Sequence, residues 1–182
     1  MISNIFVYIQ NIIDNIGFLG PFILLISSIY LLKNKSTLLT YYIIGYILNI
    51  GLNIILKYLL KQPRPSEDLK LFNIYINQGK VINFNKYGMP SGHAQNVFYS
   101  VTFILFALQN LSITSIYLLI AILTSYQRIK YNMHTLLQII CGSIIGILFG
   151  YLFYIGSLKK IVGILNYKND DNAPLFPNNF WW

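Results

Sequence analysis

Two histidines occur in a chain of 182 residues, and each stands in a short cluster whose other members suit an anion. The first cluster is Lys57, then six residues, then Arg64-Pro65; it holds no histidine but shares the cations. The second is Pro90-Ser91-Gly92-His93, and the third is Arg128, then five residues, then His134. Arginine grips a phosphate through two parallel N–H donors, and lysine adds a compact point charge. An imidazole can attack, accept a proton or donate one near neutral pH. Ser91-Gly92 ahead of a long apolar run reads as a helix N-cap that aims backbone N–H groups at an anion. Pro63 and Pro65 end the preceding helix and press Arg64 toward an extended backbone, lifting its guanidinium clear of the helical ladder. The chemistry these residue types share is phosphoryl transfer.

The clusters sit at the ends of long apolar stretches, and those stretches must position them. The chain is 55% hydrophobic and 10% charged, which argues against a soluble globular domain. No charged residue falls between Asp14 and Lys33, Lys35 and Lys57, Lys86 and Arg128, or Lys130 and Lys159. The gap from Lys86 is long enough for two spans, and the polar patch Gln109-Asn110-Leu111-Ser112 divides it. Since a bilayer core takes roughly 20 apolar residues per helix, five spans are expected, at about 18–33, 37–60, 93–109, 113–129 and 134–157. If they alternate in direction, the second span ends, the third begins, the fourth ends and the fifth begins at one membrane surface, with all three clusters there. The expected fold is all-α: a polytopic membrane helical bundle of about five spanning helices plus an N-terminal helix.

Residues 1–17 repeat Ile2, Ile5, Phe6, Ile9, Ile12, Ile13 and Ile16 at a helical period, which predicts an interfacial helix or a short sixth element packed on the bundle. Without a basic leading region or a small-residue cleavage site, a signal peptide is not expected there. Residues 18–158 form the expected membrane domain, and 159–182 a polar tail ending in Phe180-Trp181-Trp182. The stretch 62–89, rich in Pro and Gly, joins the first cluster to the second and has the length of a functional loop. Gln138, Gly142, Gly146 and Gly150 follow His134 at steps of four, so one helical face carries them all and should point into the bundle. Cys141, the lone cysteine, reads as a small buried hydrophobe. The net charge of +8 is spread over membrane-flanking loops and forms no basic stripe, so anionic lipids or phosphorylated substrates are expected partners and nucleic acid is not. Lys61 and Lys130 read as cations snorkelling to the interface. With Lys57, Arg64 and Arg128 set aside, the remaining cations divide evenly between the two sides and give no orientation.

Taken in order, Lys57-x6-Arg64-Pro65, Pro90-Ser91-Gly92-His93 and Arg128-x5-His134 resemble the three-part signature of the type-2 phosphatidic acid phosphatase superfamily, over roughly residues 20–157. By that resemblance Lys57, Arg64, Ser91, the Gly92 backbone and Arg128 hold the phosphoryl oxygens. His134 is then the nucleophile that forms a phosphohistidine, and His93 the general acid for the leaving oxygen. The family's reaction needs no metal or other cofactor, and the sequence offers no metal-binding cluster. The chain departs from the family at Gln127, where Ser is usual, and at Gln138, where Asp is usual. Gln138 lies one helical turn from His134 and can accept from its Nδ1–H, which keeps an orienting role but not the charge of an acid.

His134-Thr135-x2-Gln138 with Tyr87-Gly88-Met89-Pro90-Ser91-x-His93-x-Gln95 resembles the dolichyl-diphosphatase branch, with Gly92 in place of that branch's second Ser. The branch implies hydrolysis of a polyprenyl diphosphate to the monophosphate in the endoplasmic reticulum membrane. A phosphatidic acid or undecaprenyl diphosphate phosphatase, or a catalytically weak lipid-phosphate binder, are the alternatives the same residues allow.

Overall fold

Apolar runs with few breakers become long helices, and polar or proline-containing stretches become the turns between them. In the structure, a computed structural model that describes residues 2–80 and 82–162, these are α1 (Ile2–Leu31), α2 (Ser36–Leu60), a short α3 (Leu69–Asn77), a 3₁₀ turn (Phe84–Lys86), α4 (Gly92–Leu108), α5 (Leu111–Lys130) and α6 (Leu136–Val162). Among the described residues there is no strand; one isolated antiparallel bridge joins Pro63 to Tyr87. The polar tail expected at 159–182 lies, from residue 163 onward, outside the described residues.

Among the described residues three helices are long and apolar enough to cross a membrane: Val7–Leu31, Ser36–Leu60 and Leu136–Lys159. Their outward faces expose Phe22, Ile26, Ile47, Ile55, Leu148 and Leu152, as lipid contact requires. The helices α4 and α5 occupy the two other expected positions. The divide between them is the expected one: Gln109 ends α4 in the left-handed conformation (φ 51), and the Asn110 side chain caps α5 by accepting from the Ile113 N–H at 3.0 Å. α4 has 17 residues, about 25 Å at 1.5 Å per residue, at the lower end of the length of a spanning helix. It is the central helix, packed against α1, α2, α5 and α6, and is buried on nearly every side.

The separate interfacial helix expected at 1–17 is not separate. α1 runs unbroken from Ile2 through Pro21 to Leu31. Asp14, the charge that precedes the first charge-free run, therefore lies inside the helix. It has two partners, since its Oδ2 accepts from Lys130 Nζ at 2.6 Å and from Tyr131 OH at 2.7 Å. Pro21 lies inside this helix, and Tyr46 OH of α2 donates to the Pro21 carbonyl at 3.4 Å.

Buried polar groups bind the helices where water is absent. Gln95 Nε2 on α4 donates to Asn49 O (2.9 Å) and Asn49 Oδ1 (2.8 Å) on α2, while Gln95 Oε1 accepts from Asn53 Nδ2 at 2.7 Å. Tyr99 OH donates to Tyr42 O at 2.9 Å, and Tyr42 OH pairs with Ser100 Oγ at 2.8 Å. The closest seam is α4 against α6. Gly142, Gly146 and Gly150 face the α4 backbone at Ser91, Gln95 and Tyr99 respectively, so the glycine stripe does turn inward. A Cβ on Gly142 would lie 2.5 Å from the Ser91 carbonyl oxygen, which belongs to backbone and cannot swing aside.

Gly142→Ala should therefore push α6 off the start of α4 and destabilise the protein by about 1–3 kcal/mol, as overpacking does. A thermal midpoint in detergent equal to that of the unaltered protein would show that this seam has slack.

Candidate active site

The three clusters meet at one end of the bundle, and backbone hydrogen bonds tie them there. α2 ends with Lys61 in the left-handed conformation (φ 46), its N–H returning to Lys57 O at 3.0 Å. The chain then runs extended through Gln62, Pro63 and Arg64 beside residues 86–88. Gly88 N donates to Gln62 O at 2.7 Å and Arg64 N to Lys86 O at 3.3 Å, flanking the Pro63–Tyr87 bridge. Lys57 Nζ donates to the Tyr87 carbonyl at 2.6 Å, which fastens the first cluster to the approach of the second. Tyr87 itself is buried edge-on against Phe72 of α3 and Tyr58 of α2.

Ser91 caps α4, its side chain accepting from the Ala94 N–H at 3.5 Å, and its own N–H donates to Gln138 O of α6 at 3.0 Å. Asn53 Nδ2 reaches Pro90 O at 3.3 Å, so the intramembrane amide network extends up to this turn. In the third cluster the chain folds back on the end of α5, with Met133 N and His134 N both donating to Arg128 O at 3.0 and 3.3 Å. Asn132, with φ 51, makes the reversal.

Arg64 stands within electrostatic reach of Lys57, Arg128, His93 and His134, and both histidines also lie within reach of Lys57. Lys57, Arg128 and His134 are buried, and Arg64, Gly92 and His93 half-buried. The ion pairs among the described residues are Lys86–Glu67 and Lys130–Asp14, so none of these three cations is in one. Arg64 Nε and Arg128 Nε and Nη2 are buried with no hydrogen-bond partner. Burial holds the Arg64 guanidinium below its ordinary range, against a smaller opposite pull from Glu67. His134 lies in the connection before α6, and its imidazole is also held well below the usual range. Burial is the main cause, Arg64 and Lys57 add to it, and Gln138 and the Gly88 backbone oppose it.

Gln138 has all four of its side-chain valences filled. Its Oε1 lies 3.2 Å from His134 Nδ1 and accepts from Thr135 N at 3.2 Å; its Nε2 donates to Gln62 Oε1 at 3.0 Å and to Pro63 O at 3.1 Å. Thr135 N can only donate and Pro63 O can only accept, so the amide cannot be turned over. That fixes the proton of His134 on Nδ1 and leaves the Nε2 lone pair free. Thr135 Oγ1 in turn accepts from Gln138 N at 3.2 Å. Thr135-x-x-Gln138 is thus a reciprocal capping box at the start of α6, and the residue that orients the histidine is also the residue that starts its helix. The box was readable in the sequence as a Thr/Gln pair three apart ahead of an apolar run; the contacts of Gln62 and Asn53 had no comparable signal.

Residues 38–161 match the PAP2 superfamily. The chain belongs to that superfamily. Among curated relatives of this PAP2 protein, lipid phosphate phosphatase epsilon 1, chloroplastic, of Arabidopsis thaliana is 34% identical over 71% of the chain and 44% of its own length. Dolichyldiphosphatase 1 of Dictyostelium discoideum is 30% identical over 61% of the chain and 48% of its own length. The second Arabidopsis enzyme of the epsilon pair is 29% identical over 72% of the chain and 43% of its own. The chain thus matches less than half the length of each. No solved structure matches it significantly.

Replacing Gln138 by Leu strands the Thr135 N–H and the Pro63 carbonyl. Replacing it by Glu keeps the shape but sets an oxygen against the Pro63 carbonyl. Each should destabilise the PAP2 domain by about 1–3 kcal/mol, the usual cost of an unsatisfied buried group. Equal thermal midpoints for Gln138→Glu and the unaltered protein would remove the Pro63 contact as the reason for an amide here.

Proposed function

We propose that this PAP2 protein is a lipid phosphatase of the membrane surface, and that a polyprenyl diphosphate of the dolichyl type is its substrate. The observation that carries the reading is the trio Lys57, Arg64 and Arg128, gathered beside two histidines with no carboxylate bonded to them among the described residues. Buried cations without a paired acid favour an anion among them, and a phosphoryl group supplies oxygens for each. Ser91 and the Gly92 backbone, at the start of α4, complete the cradle.

In this reading His134 Nε2 attacks the terminal phosphorus and the bond from phosphorus to the leaving oxygen breaks. His93 gives that oxygen a proton. For a diphosphate the leaving group is the lipid monophosphate. Water then attacks the phosphohistidine with His93 as the base, releasing inorganic phosphate and restoring both imidazoles. The step uses protein cations throughout to stabilise the charge on the phosphoryl oxygens and is written with no cofactor or metal. Gln138 keeps His134 aimed and in the right tautomer; the positive charge gained on His134 is left to the phosphoryl group itself to balance.

The dolichyl assignment is favoured by Gln138 and by the Tyr87–Gln95 segment, with the Dictyostelium relative in support; it implies the endoplasmic reticulum membrane. A second reading, a phosphatidate-type lipid phosphate phosphatase, is favoured by the Arabidopsis relatives. Purified protein given dolichyl diphosphate, dolichyl phosphate and phosphatidate in mixed micelles decides between them. The diphosphate should be turned over fastest, and a preference for phosphatidate would move the assignment to the second reading. Release of no phosphate from any of them would leave a lipid-phosphate binder.

The roles separate by mutation. His134→Ala should abolish turnover and any acid-trapped phosphoenzyme. His93→Ala should slow phosphoenzyme formation by about 10²–10⁴-fold, least for substrates with good leaving groups, because those need no proton. Undiminished turnover in His134→Ala would refute the nucleophile.

A further inference from the structure

Arg128 poses a problem that the phosphatase reading does not answer. Its guanidinium is buried, and its Nε and Nη2 have no hydrogen-bond partner, so hydrogen bonds at those atoms do not hold it in place before substrate arrives. One side chain does lie against it. The guanidinium carbon sits 5.3 Å from the centre of the Phe18 ring, inside the range of a cation–π contact. The same ring stands 6.3 Å from the His93 imidazole, tilted by 40°. Phe18 therefore touches one cation and one histidine of the site from a helix, α1, that lies wholly outside the residues matched by the superfamily.

The surrounding sequence of α1 is built to keep the ring there. Gly17 lets α1 approach α5 until a Cβ would stand 2.6 Å from Gln127 Cβ and 2.8 Å from Leu123 O. One turn earlier Asp14 is tied to Lys130 and Tyr131, at the end of the same helix that carries Arg128. One turn later Gly20 abuts Thr124 of α5. Gln127, where the wider family usually has Ser, contributes the side-chain carbons against which Gly17 packs. The register of α1 on α5 is fixed at three levels, and Phe18 is the residue that this register turns onto Arg128.

Resting on the phosphatase reading for the role of Arg128, we propose that Phe18 is a positioning residue of the active site. Its ring holds the Arg128 guanidinium in the orientation that receives the phosphoryl oxygens, and it walls the His93 side. The π face, rather than bulk, is the property that does this. An apolar aliphatic residue would fill the same volume but would leave the buried guanidinium with no electrostatic partner on that side.

The test uses the whole purified chain in detergent, with inorganic phosphate as the probe and its dissociation constant read from the rise in thermal midpoint with concentration. Phe18→Leu should weaken phosphate binding by about 2- to 30-fold, the range a cation–π contact spans between exposed and desolvated settings. Phe18→Tyr and Phe18→Trp should restore it. In an Arg128→Gln background Phe18→Leu should change the constant no further, because the cation it serves is gone. Unchanged affinity in Phe18→Leu, an equal loss in both backgrounds, or an order that follows side-chain volume would each overturn the proposal. If Phe18→Leu does not fold, the Phe, Tyr, Trp and Met series carries the same comparison. Turnover of a lipid phosphate by the unaltered protein is measured alongside. Turnover with a flat Phe18 series sinks the positioning role and leaves the phosphatase reading intact. Phosphate binding without turnover sinks the phosphatase reading, and the series still decides what Phe18 does.

Discussion

Mutual repulsion among Lys57, Arg64 and Arg128 is the constraint under which this bundle is assembled. Three positive side chains at one end of an apolar bundle repel one another, lose hydration, and gain nothing from a bonded acid. Each is accordingly held by something covalently committed to the fold. Lys57 is drawn to a backbone carbonyl, Tyr87 O. Arg64 rides on an extended segment paired with residues 86–88. Arg128 stands where α5 ends and the chain folds back onto its carbonyl. Of the chain's acids, Asp14 and Glu67 pair Lys130 and Lys86, and Asp68 caps α3. That distribution leaves the three central cations without a carboxylate partner among the described residues.

Gln138 shows how closely folding and function are coupled at this end. Its side chain closes the capping box of α6, fixes the tautomer of His134 and links the first cluster through Gln62 and Pro63. An acid in its place would offer more charge to the imidazole, but it would face the Pro63 carbonyl with an oxygen. Given that neighbour, only a side chain with an acceptor on one branch and a donor on the other satisfies every group. The departure from the wider family's Asp is thus matched by the hydrogen-bond environment and does not leave a gap in the site.

Deeper in the bundle the same economy of polar groups recurs. Asn49, Asn53 and Gln95 form a set of amide contacts between α2 and α4, and Asn53 reaches the Pro90 carbonyl beside the Ser91 cap. The glycine stripe of α6 holds that cap against Gln138 from the other side. The start of α4 is therefore clamped between an amide network and a backbone-to-backbone seam. A helix whose first N–H groups are to face an anion needs this rigidity, because a shift of a fraction of an ångström redirects them.

The sequence by itself determined the helices and the inventory of the site. Charge-free runs of about twenty residues dictate helices wherever a backbone must satisfy its own polar groups, and the Gln109-Asn110 divide, the inward glycine stripe and the three clusters could all be read from spacing alone. Local rules also contained the Thr135–Gln138 box, since a cap depends only on residues three apart. What only the tertiary structure decided was everything that depends on a partner distant in the chain. Asp14, the charge ahead of the first charge-free run, lies within α1 and is paired there with Lys130 and Tyr131, more than a hundred positions away. α4 stands where a span was expected, but that it is the central helix, packed against four others, depends on which helix faces meet. Phe18 was one aromatic among twelve phenylalanines until the register of α1 on α5 turned it onto Arg128 and His93. Sequence spacing fixes which residues share a face of one helix; which faces meet is set by close packing between helices, and no single helix encodes that.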